Sequence, residues 1–170
     1  TVEIVDLPGL TKGGEGVGNK LLAEVQTVDA LIHVLRCFDD ENLPHSEGSV
    51  DPVRDMELVD LELQVRDLDL VTRKLQRVEK LMKNGEKDNK KAYEVLSVYK
   101  EALENMQNAR DAKVADEDKK YIQDIQLLTA KPIMYVCNVD DASALTGNKY
   151  SEAVKASLKE GDEMIVIAGK

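Results

Sequence analysis

The sequence predicts an α/β protein whose mostly parallel sheet is interrupted by an inserted helical arm. Short apolar runs of the kind found in buried parallel strands alternate with helical patterns along both ends of the chain. A long middle stretch instead repeats apolar residues at spacings of three and four. The composition, with 33% charged and 4% aromatic residues in 170, is typical of a helix-rich protein rather than of a β-sandwich.

Four apolar runs predict the strands of the sheet. They are Val2 to Val5, Ala30 to Leu35, Pro132 to Cys137, and Met164 to Ala168. Helical patterns separate them at Asn19 to Gln26 and from about Tyr150 to Lys159. This alternation predicts right-handed crossovers and strands covered on both faces. Because the first strand begins almost at once, we expect a neighbouring strand upstream of it.

The middle stretch predicts a helical arm. Asp51 and Pro52 combine a side-chain cap with proline at the first helical position. The predicted seam of the first helix is Leu58, Leu61, Val65, Leu68, Thr72 and Leu75, and that of the second is Ala92, Leu96, Tyr99, Leu103 and Met106. A break at Asn84-Gly85 lets the two helices pair as an antiparallel hairpin, and a third helix is predicted from about Asp116 to Leu128. The predicted organisation is therefore an α/β domain of residues 1–50 and 129–170, with a helical coiled-coil insertion at 51–128.

Charge is distributed unevenly along the chain. The net charge of −10 argues against a protein that binds nucleic acid over its whole surface. The predicted tip of the arm, Arg73 to Lys91, nevertheless carries eight basic residues and three acidic ones, a local charge of +5. Two interpretations remain open for this tip: a solvated helix face, or a finger that contacts the phosphates of RNA.

The two cysteines, Cys37 and Cys137, lie in or at the end of apolar runs and lack zinc-site spacing. We expect both to be reduced, buried thiols. No apolar stretch is long enough to span a bilayer and the N-terminus does not have the pattern of a signal peptide, so we expect a cytoplasmic protein with no membrane partner.

A candidate phosphate and metal site follows the first predicted strand. Asp6 and Gly9 form a D-x-x-G pattern, in which a carboxylate holds Mg²⁺, often through water, and a backbone N–H faces the terminal phosphate. The same residues also describe an ordinary turn. Half of the ten glycines lie between Gly9 and Gly18, which indicates a loop that can approach a ligand closely. This loop is not a P-loop, because it lacks the adjacent Gly-Lys and the following hydroxyl.

Polar residues also follow the third predicted strand. Asn138 and Asp141 come just past its carboxyl end, the edge where α/β sheets bind ligands. An amide there can hold a base and a loop together, and an acid can accept a hydrogen bond from an exocyclic amine. A turn followed by a helix cap is the alternative interpretation.

Several segments together resemble the YchF subfamily of Obg-related P-loop NTPases, the Obg-like ATPases. These segments are D-L-P-G-L-T-K-G, G-E-G-V-G-N-K, H-V-L-R-C-F, H-S-E-G-S-V-D-P and L-T-A-K-P, and they run nearly from end to end of the chain. The resemblance implies a Ras-like P-loop NTPase domain, here incomplete, with a coiled-coil arm between its strands. It also implies ATP hydrolysis and association with the ribosome. Members usually continue into a C-terminal TGS domain, which this sequence does not contain.

The resemblance implies specific roles. Asp6 and Gly9 would form the magnesium and γ-phosphate motif, with Asp6 reaching Mg²⁺ through water, and Gly13 to Lys20 would form the second switch. Asn138, Val139 and Asp141 would face the base, and 168–170 would form the last base loop. Asp141 stands where the subfamily has Glu, so both ATP and GTP remain candidate substrates.

His45 is the catalytic candidate that the resemblance implies. The subfamily lacks the glutamine that positions water in Ras-like enzymes, and Leu10 is indeed apolar here. A histidine of the loop after the second strand is the substitute, and His45 matches it; an imidazole can orient water or accept its proton. His33, in the middle of a strand, is interpreted as a core residue.

No G-x-x-x-x-G-K-[ST] pattern occurs in the chain. We therefore expect this segment to be inactive alone, as part of a ribosome-associated nucleotide hydrolase that contacts ribosomal RNA, and not DNA, through Arg73 to Lys91. The alternative is a non-catalytic module that presents the basic-tipped hairpin to RNA or protein. A P-loop some 60–80 residues upstream would favour the hydrolase.

Overall fold

The structure, a computed structural model, describes residues 1–7, 17–45, 47–85 and 87–169, without the side chains of 17–21 and 87. The chain forms two compact units, one of Thr1–Met56 with Ile133–Lys170 and one of Glu57–Pro132. Each unit contains its own cluster of buried apolar side chains.

The first unit contains a parallel sheet of three described strands. Helix α1 (Val17–Thr27) precedes β1 (Leu31–Arg36), and β2 (Ile133–Asn138), α4 (Lys149–Ser157) and β3 (Glu163–Ile167) follow at the other end of the chain. The strands pair in the order β1-β2-β3, all in parallel. The predicted α/β class is confirmed, and so are the last three predicted strands and the two helical patterns between them.

One face of this sheet is covered more completely by described residues than the other. Leu35, Tyr135 and Cys137 point to the covered face, where they pack with Met56 and Val154. Because side chains alternate along a strand, the residues between them line the opposite face. The large apolar side chains exposed on that face are Ile32, Val34, Ile165 and Ile167. The expectation of strands covered on both faces therefore holds for the centre of β2, where Val136 on this second face is 5% exposed, and not for β1 and β3.

The first predicted strand is also absent. Residues 1–7 form no strand, and the side chains of Val2 and Ile4 are 90% and 82% exposed. An apolar β-branched run becomes a strand only when a neighbouring strand satisfies its backbone groups and covers its side chains. No described strand pairs with residues 1–7.

The second unit is helical. Most of α2 (Pro52–Met82) lies in it, and a turn at 83–85 precedes α3 (Lys87–Glu104). The backbone N–H groups of Asn84 and Gly85 close this turn onto Leu81 and Met82, and Gly85 adopts a φ of +89°, which glycine reaches at no steric cost. The two helices share one apolar cluster, as the predicted hairpin requires. Its members include Val71, Val78, Ala92, Leu96, Tyr99 and Leu103.

The buried face of α2 differs from the predicted seam. Leu58, Leu61 and Val65 are exposed, whereas Gln64, Asp67, Val71 and Val78 are buried. The face recurs at the expected spacing of three and four, but polar residues occupy some of its positions. Within the described residues, no helix is both long enough and apolar enough to cross a bilayer.

The polar residues of α2 hold the chain that returns to β2. Gln64 donates to the side chain of Asn108 at 2.8 Å, and Lys74 donates to the backbone oxygen of Tyr121. The buried carboxylate of Asp67 accepts the backbone N–H groups of Leu128 and Thr129, both at 2.7 Å. Burial raises the pKa of Asp67, while these hydrogen bonds act in the opposite direction.

The returning chain contains no third α-helix in its described residues. Asp116–Ile125 is a 3₁₀ helix, followed by a second short one at Leu128–Ala130. Gln126, with a φ of 51°, ends the first of them in a left-handed conformation, so the predicted helix from Asp116 to Leu128 is wrong in type and in continuity.

Candidate functional site

The predicted base-site residues lie where β2 and β3 end. Asn138 is the last residue of β2, and its Oδ1 accepts the backbone N–H of Gly169, which follows β3, at 2.9 Å. The backbone oxygen of Asn138 accepts the N–H of Cys37, which follows β1, at 2.8 Å. Asn138 therefore contacts the segments that follow β1 and β3, the first through its backbone oxygen and the second through its side-chain amide.

The other two predicted base-site residues differ in exposure. Val139 is only 2% exposed, belongs to the apolar cluster and donates its N–H to Ile167. Its side chain is thus unavailable to a ligand in this conformation. Asp141 is exposed and begins a short 3₁₀ turn, Asp141–Ser143. Of the three residues, Asn138 and Asp141 are the ones whose polar side chains lie outside the core.

Two residues that sequence reasoning missed fix the start of the loop after β1. Asn148 caps α4 by accepting the N–H groups of Tyr150 and Ser151, and its Nδ2 donates to the backbone oxygen of Cys37 at 2.7 Å. The hydroxyl of Tyr150 donates to Asp39 at 2.5 Å. The Asn-x-x-Ser capping pattern was visible in the sequence, but its second contact, with a residue 111 positions away, was not.

Arg36 organises the middle of the same loop. Its guanidinium lies 4.8 Å from the ring centre of Phe38 and donates to the backbone oxygen of Leu43 at 2.6 Å. Further hydrogen bonds reach the oxygens of Phe38 and Asp40. One side chain therefore holds most of residues 38–43 in place.

Both ring nitrogens of His45 are occupied by groups of the protein. Nε2 lies 2.8 Å from Oδ2 of Asp55, and Nδ1 accepts the backbone N–H of Glu47 at 3.0 Å. The side chains of His45 and Asp55 are 13% and 18% exposed. His45 is thus a partly buried residue held by the loop and by the first turns of α2.

Asp55 is shared between His45 and Arg54. Its second oxygen, Oδ1, lies 3.3 Å from a guanidinium nitrogen of Arg54. Arg54 also donates to the hydroxyl and the backbone oxygen of Ser49, at 2.9 and 2.7 Å. The end of the loop is therefore attached to α2 at two points, His45 and Ser49.

The predicted phosphate and metal residues are not brought to this loop by any described contact. Asp6 lies in the exposed segment 1–7 and has no hydrogen-bond or ion-pair partner among the described residues. Gly9 and residues 13–16 of the predicted switch lie outside the described residues, as does Lys170 of the last base loop. The remainder of the switch falls on the start of α1.

His33 is half-buried in the sheet, and the two cysteines belong to its buried core. His33 lies beside Tyr135, with ring centres 6.0 Å apart, and burial lowers its pKa while the charge of Asp55 opposes this shift. Cys37 and Cys137 are both free and fully buried. Contact with Cys137, and burial, hold the pKa of the Cys37 thiol above its ordinary range. The expectation of two free, buried thiols agrees with this arrangement, whereas His33 lies at the margin of the core rather than within it.

No protein-family model matches the chain. Among curated proteins, the ribosome-binding ATPase YchF of Bacillus subtilis is 40% identical over 174 residues, which cover 99% of this chain and 48% of that protein. The Obg-like ATPase 1 of Caenorhabditis elegans is 35% identical and is covered to 43% of its length. Among solved structures, the Schizosaccharomyces pombe YchF GTPase superposes with a TM-score of 0.80 at 30% identity, over 94% of this chain and 45% of that one. The resemblance to the YchF subfamily of Obg-like ATPases is thereby confirmed in sequence and in fold, over a chain that spans about half the length of the curated relatives it matches.

Proposed function

We propose that this chain is the central part of a ribosome-associated, cytoplasmic nucleotide hydrolase that converts ATP or GTP to the diphosphate and phosphate. The observation that carries the proposal is Asn138, which joins the ends of three parallel strands at the sheet edge where α/β proteins bind nucleotides. The likeness to proteins named ribosome-binding ATPase, along the whole chain, supports the same conclusion.

In this proposal the base lies against Asn138 and Asp141. The exposed carboxylate of Asp141 accepts a hydrogen bond from the base, while Asn138 keeps the neighbouring loops in place. Val139 contributes through its backbone, since its side chain is buried. The presence of Asp rather than Glu at 141 leaves the choice between adenine and guanine to be measured.

Mg²⁺ is the cofactor of the proposed reaction. Asp6 fits it chemically, because its carboxylate is a hard oxygen ligand that is exposed and unpartnered among the described residues. The described residues contain no group of three candidate metal ligands. Mg²⁺ bound with a nucleotide needs protein carboxylates at only one or two points, since phosphates and water supply its other ligands. The bound ion would neutralise charge on the phosphates, and the N–H of Gly9 would face the terminal phosphate.

His45 is the proposed catalytic residue. Its Nδ1 accepts a hydrogen bond from Glu47 and is therefore unprotonated, as a nitrogen that orients or deprotonates water must be. Catalysis then requires the Glu47 N–H to give way to a water molecule.

The helical arm is the proposed ribosome contact. Within the basic segment, Arg73 pairs with Asp69, Lys74 with Asp124 and Lys91 with Asp118. The exposed cations without an ion-pair partner among the described residues are Arg77, Lys80, Lys83 and Lys90. These four residues form the surface that we propose meets RNA phosphates.

A non-catalytic module is the second candidate function, since the exposed cations of the arm would meet RNA or protein whether or not a nucleotide is hydrolysed. The deciding experiment measures ATP and GTP turnover by the full-length protein, and titrates it calorimetrically with non-hydrolysable analogues of both. We expect His45→Ala to lower kcat with little change in nucleotide affinity. Undetectable nucleotide binding by the full-length protein would favour the module, and an unchanged kcat would remove His45 from the mechanism.

A further inference from the structure

The contacts of His45 define the protonation of its ring. A backbone N–H can only donate, so Nδ1, which faces the N–H of Glu47, is the acceptor nitrogen. Nε2 faces a carboxylate oxygen of Asp55 at 2.8 Å and therefore carries the hydrogen. The ring is thus in the Nε2–H form, with its lone pair at Nδ1.

We propose that Asp55 is a positioning residue for His45, which holds the ring in the Nε2–H form so that Nδ1 is the nitrogen that meets water. The proposal rests on the function proposed above for His45. A carboxylate behind an imidazole fixes its tautomer and stabilises the imidazolium that forms when the other nitrogen takes a proton. Asp55 is placed to do both.

The surroundings of Asp55 fix the carboxylate itself. Oδ2 accepts from His45 and Oδ1 faces Arg54, so each oxygen has its own donor. The guanidinium of Arg54 is held in turn by the hydroxyl and the backbone oxygen of Ser49. The ring of His45 is therefore oriented from a helix rather than from the loop that carries it.

The two ring nitrogens of His45 are contacted by different parts of the chain. Nε2 meets Asp55 of α2, whereas Nδ1 is covered by the backbone N–H of Glu47 in the loop. The Glu47 N–H belongs to a turn that closes between Gly48 and His45, and Gly48 adopts a φ of +82°. If the turn moves, Nδ1 exchanges the Glu47 N–H for water while Nε2 stays on Asp55. If Asp55 were only a brace between the loop and the helix, its replacement in a folded protein would leave kcat unchanged.

The test uses the full-length protein with ¹⁵N-labelled histidine, and His45→Gln assigns the resonances. In the wild type we expect the ring signature of Nε2–H with an unprotonated Nδ1. In Asp55→Asn the side chain has one acceptor oxygen and one donor NH₂ group, but two donors face it: Nε2–H of His45 and the guanidinium of Arg54. We therefore expect the Nε2–H form of His45 to be lost. We expect kcat to fall at least about tenfold while KM stays within about threefold.

Asp51→Asn is the matched control. It removes the same charge from the same end of α2, keeps a good cap and does not touch His45. We expect the wild-type tautomer, and a kcat within about twofold of the wild type. In a His45→Gln background, Asp55→Asn should cause no further loss of kcat, because the two residues act as a unit.

The outcomes separate this inference from the proposed function. If His45→Gln lowers kcat while Asp55→Asn changes neither tautomer nor kcat, the role of Asp55 is wrong and that of His45 stands. An unchanged kcat in His45→Gln overturns both. Should Asp55→Asn fail to fold, the wild-type spectrum decides alone, since a ring protonated at Nδ1 contradicts the proposal.

Discussion

The buried carboxylate of Asp67 accepts two hydrogen bonds from Thr129, one from its backbone N–H at 2.7 Å and one from its hydroxyl at 2.5 Å. The hydroxyl oxygen of Thr129 in turn accepts the N–H of Ala109 at 2.8 Å. A single pair of side chains thus connects α2 with two parts of the returning chain, and it satisfies buried backbone donors that lie in no α-helix or strand.

We expect Asp67→Asn to loosen this connection. An amide has one acceptor oxygen, so at least one of the three donors that face Asp67 loses its partner, at a cost of about 1–3 kcal/mol. Hydrogen exchange at the amides of Leu128 and Thr129 should accelerate about tenfold or more. Asp69→Asn, on the exposed side of the same helix, removes an ion pair with Arg73 and should change this exchange little. Equal exchange in both variants would contradict the role of Asp67.

The buried face of α2 that the structure shows predicts a large loss of stability on truncation of one valine and a small one on truncation of another. Val71 is fully buried in the helical cluster, so Val71→Ala should lower the free energy of unfolding by about 2 kcal/mol. Val65 belonged to the predicted seam but is exposed, so Val65→Ala should stay within about 0.5 kcal/mol of the wild type. Denaturant unfolding of the helical unit, followed by circular dichroism in the full-length protein, measures both. A larger loss for Val65→Ala would restore the seam predicted from the sequence.

His33 predicts a dependence of stability on pH. Burial lowers the pKa of His33 below the ordinary value of 6.5, so near and below that pH the unfolded chain binds a proton at His33 more readily than the folded chain does. The contribution of His33 is therefore constant above pH 6.5, and stability declines as the pH falls below that value. The slope from one group is at most about 1.4 kcal/mol per pH unit. Unfolding measured between pH 7.5 and 5.5 should lose this part of the slope in His33→Leu and keep it in His45→Gln; identical slopes in all three proteins would speak against it.

The exposed cations at the tip of the arm predict the salt dependence of ribosome binding. Reversing the charge of Lys83 and Lys90 should weaken binding and flatten the plot of log K against log salt, by about one unit for each phosphate that is no longer neutralised. Lys155→Glu, on the exposed side of α4, is the control and should leave the slope unchanged. If all variants bind the ribosome as the wild type does, the tip of the arm is a solvated helix face and not an RNA contact.

The elements that could be predicted from the sequence are those with strong local signals. The runs ending at Leu35 and Cys137 are apolar and β-branched, and they pair in register as Leu31 with Ile133 through Arg36 with Asn138. Val2 to Val5 carries the same local signal but forms no strand, because strand formation depends on a partner that the local sequence does not specify. The same limit applies to the exposed face of the sheet.

The buried face of α2 shows why apolar spacing alone was insufficient. Asp67 occupies a core position because donors from a distant part of the chain contact it. The residues around Asp67 in the sequence do not predict its contact with Thr129, which lies 62 positions later. Asn138 could be proposed for the candidate site because it follows a strand, whereas His45 was implied only by the resemblance to the Obg-like ATPases. Asp55 was not found, because its significance comes from a loop folding back ten residues onto the helix.

The loop that carries His45 is held along most of its length. Cys37 is fixed at both its backbone N–H and its oxygen, and Arg36 holds the oxygens of Phe38, Asp40 and Leu43. The ring of His45 is then held by Asp55 of α2, and its other nitrogen by the backbone N–H of Glu47. Because the first of these contacts belongs to a helix and the second to the loop, an exchange of the Glu47 N–H for water would change the partner of Nδ1 and leave the imidazole in place.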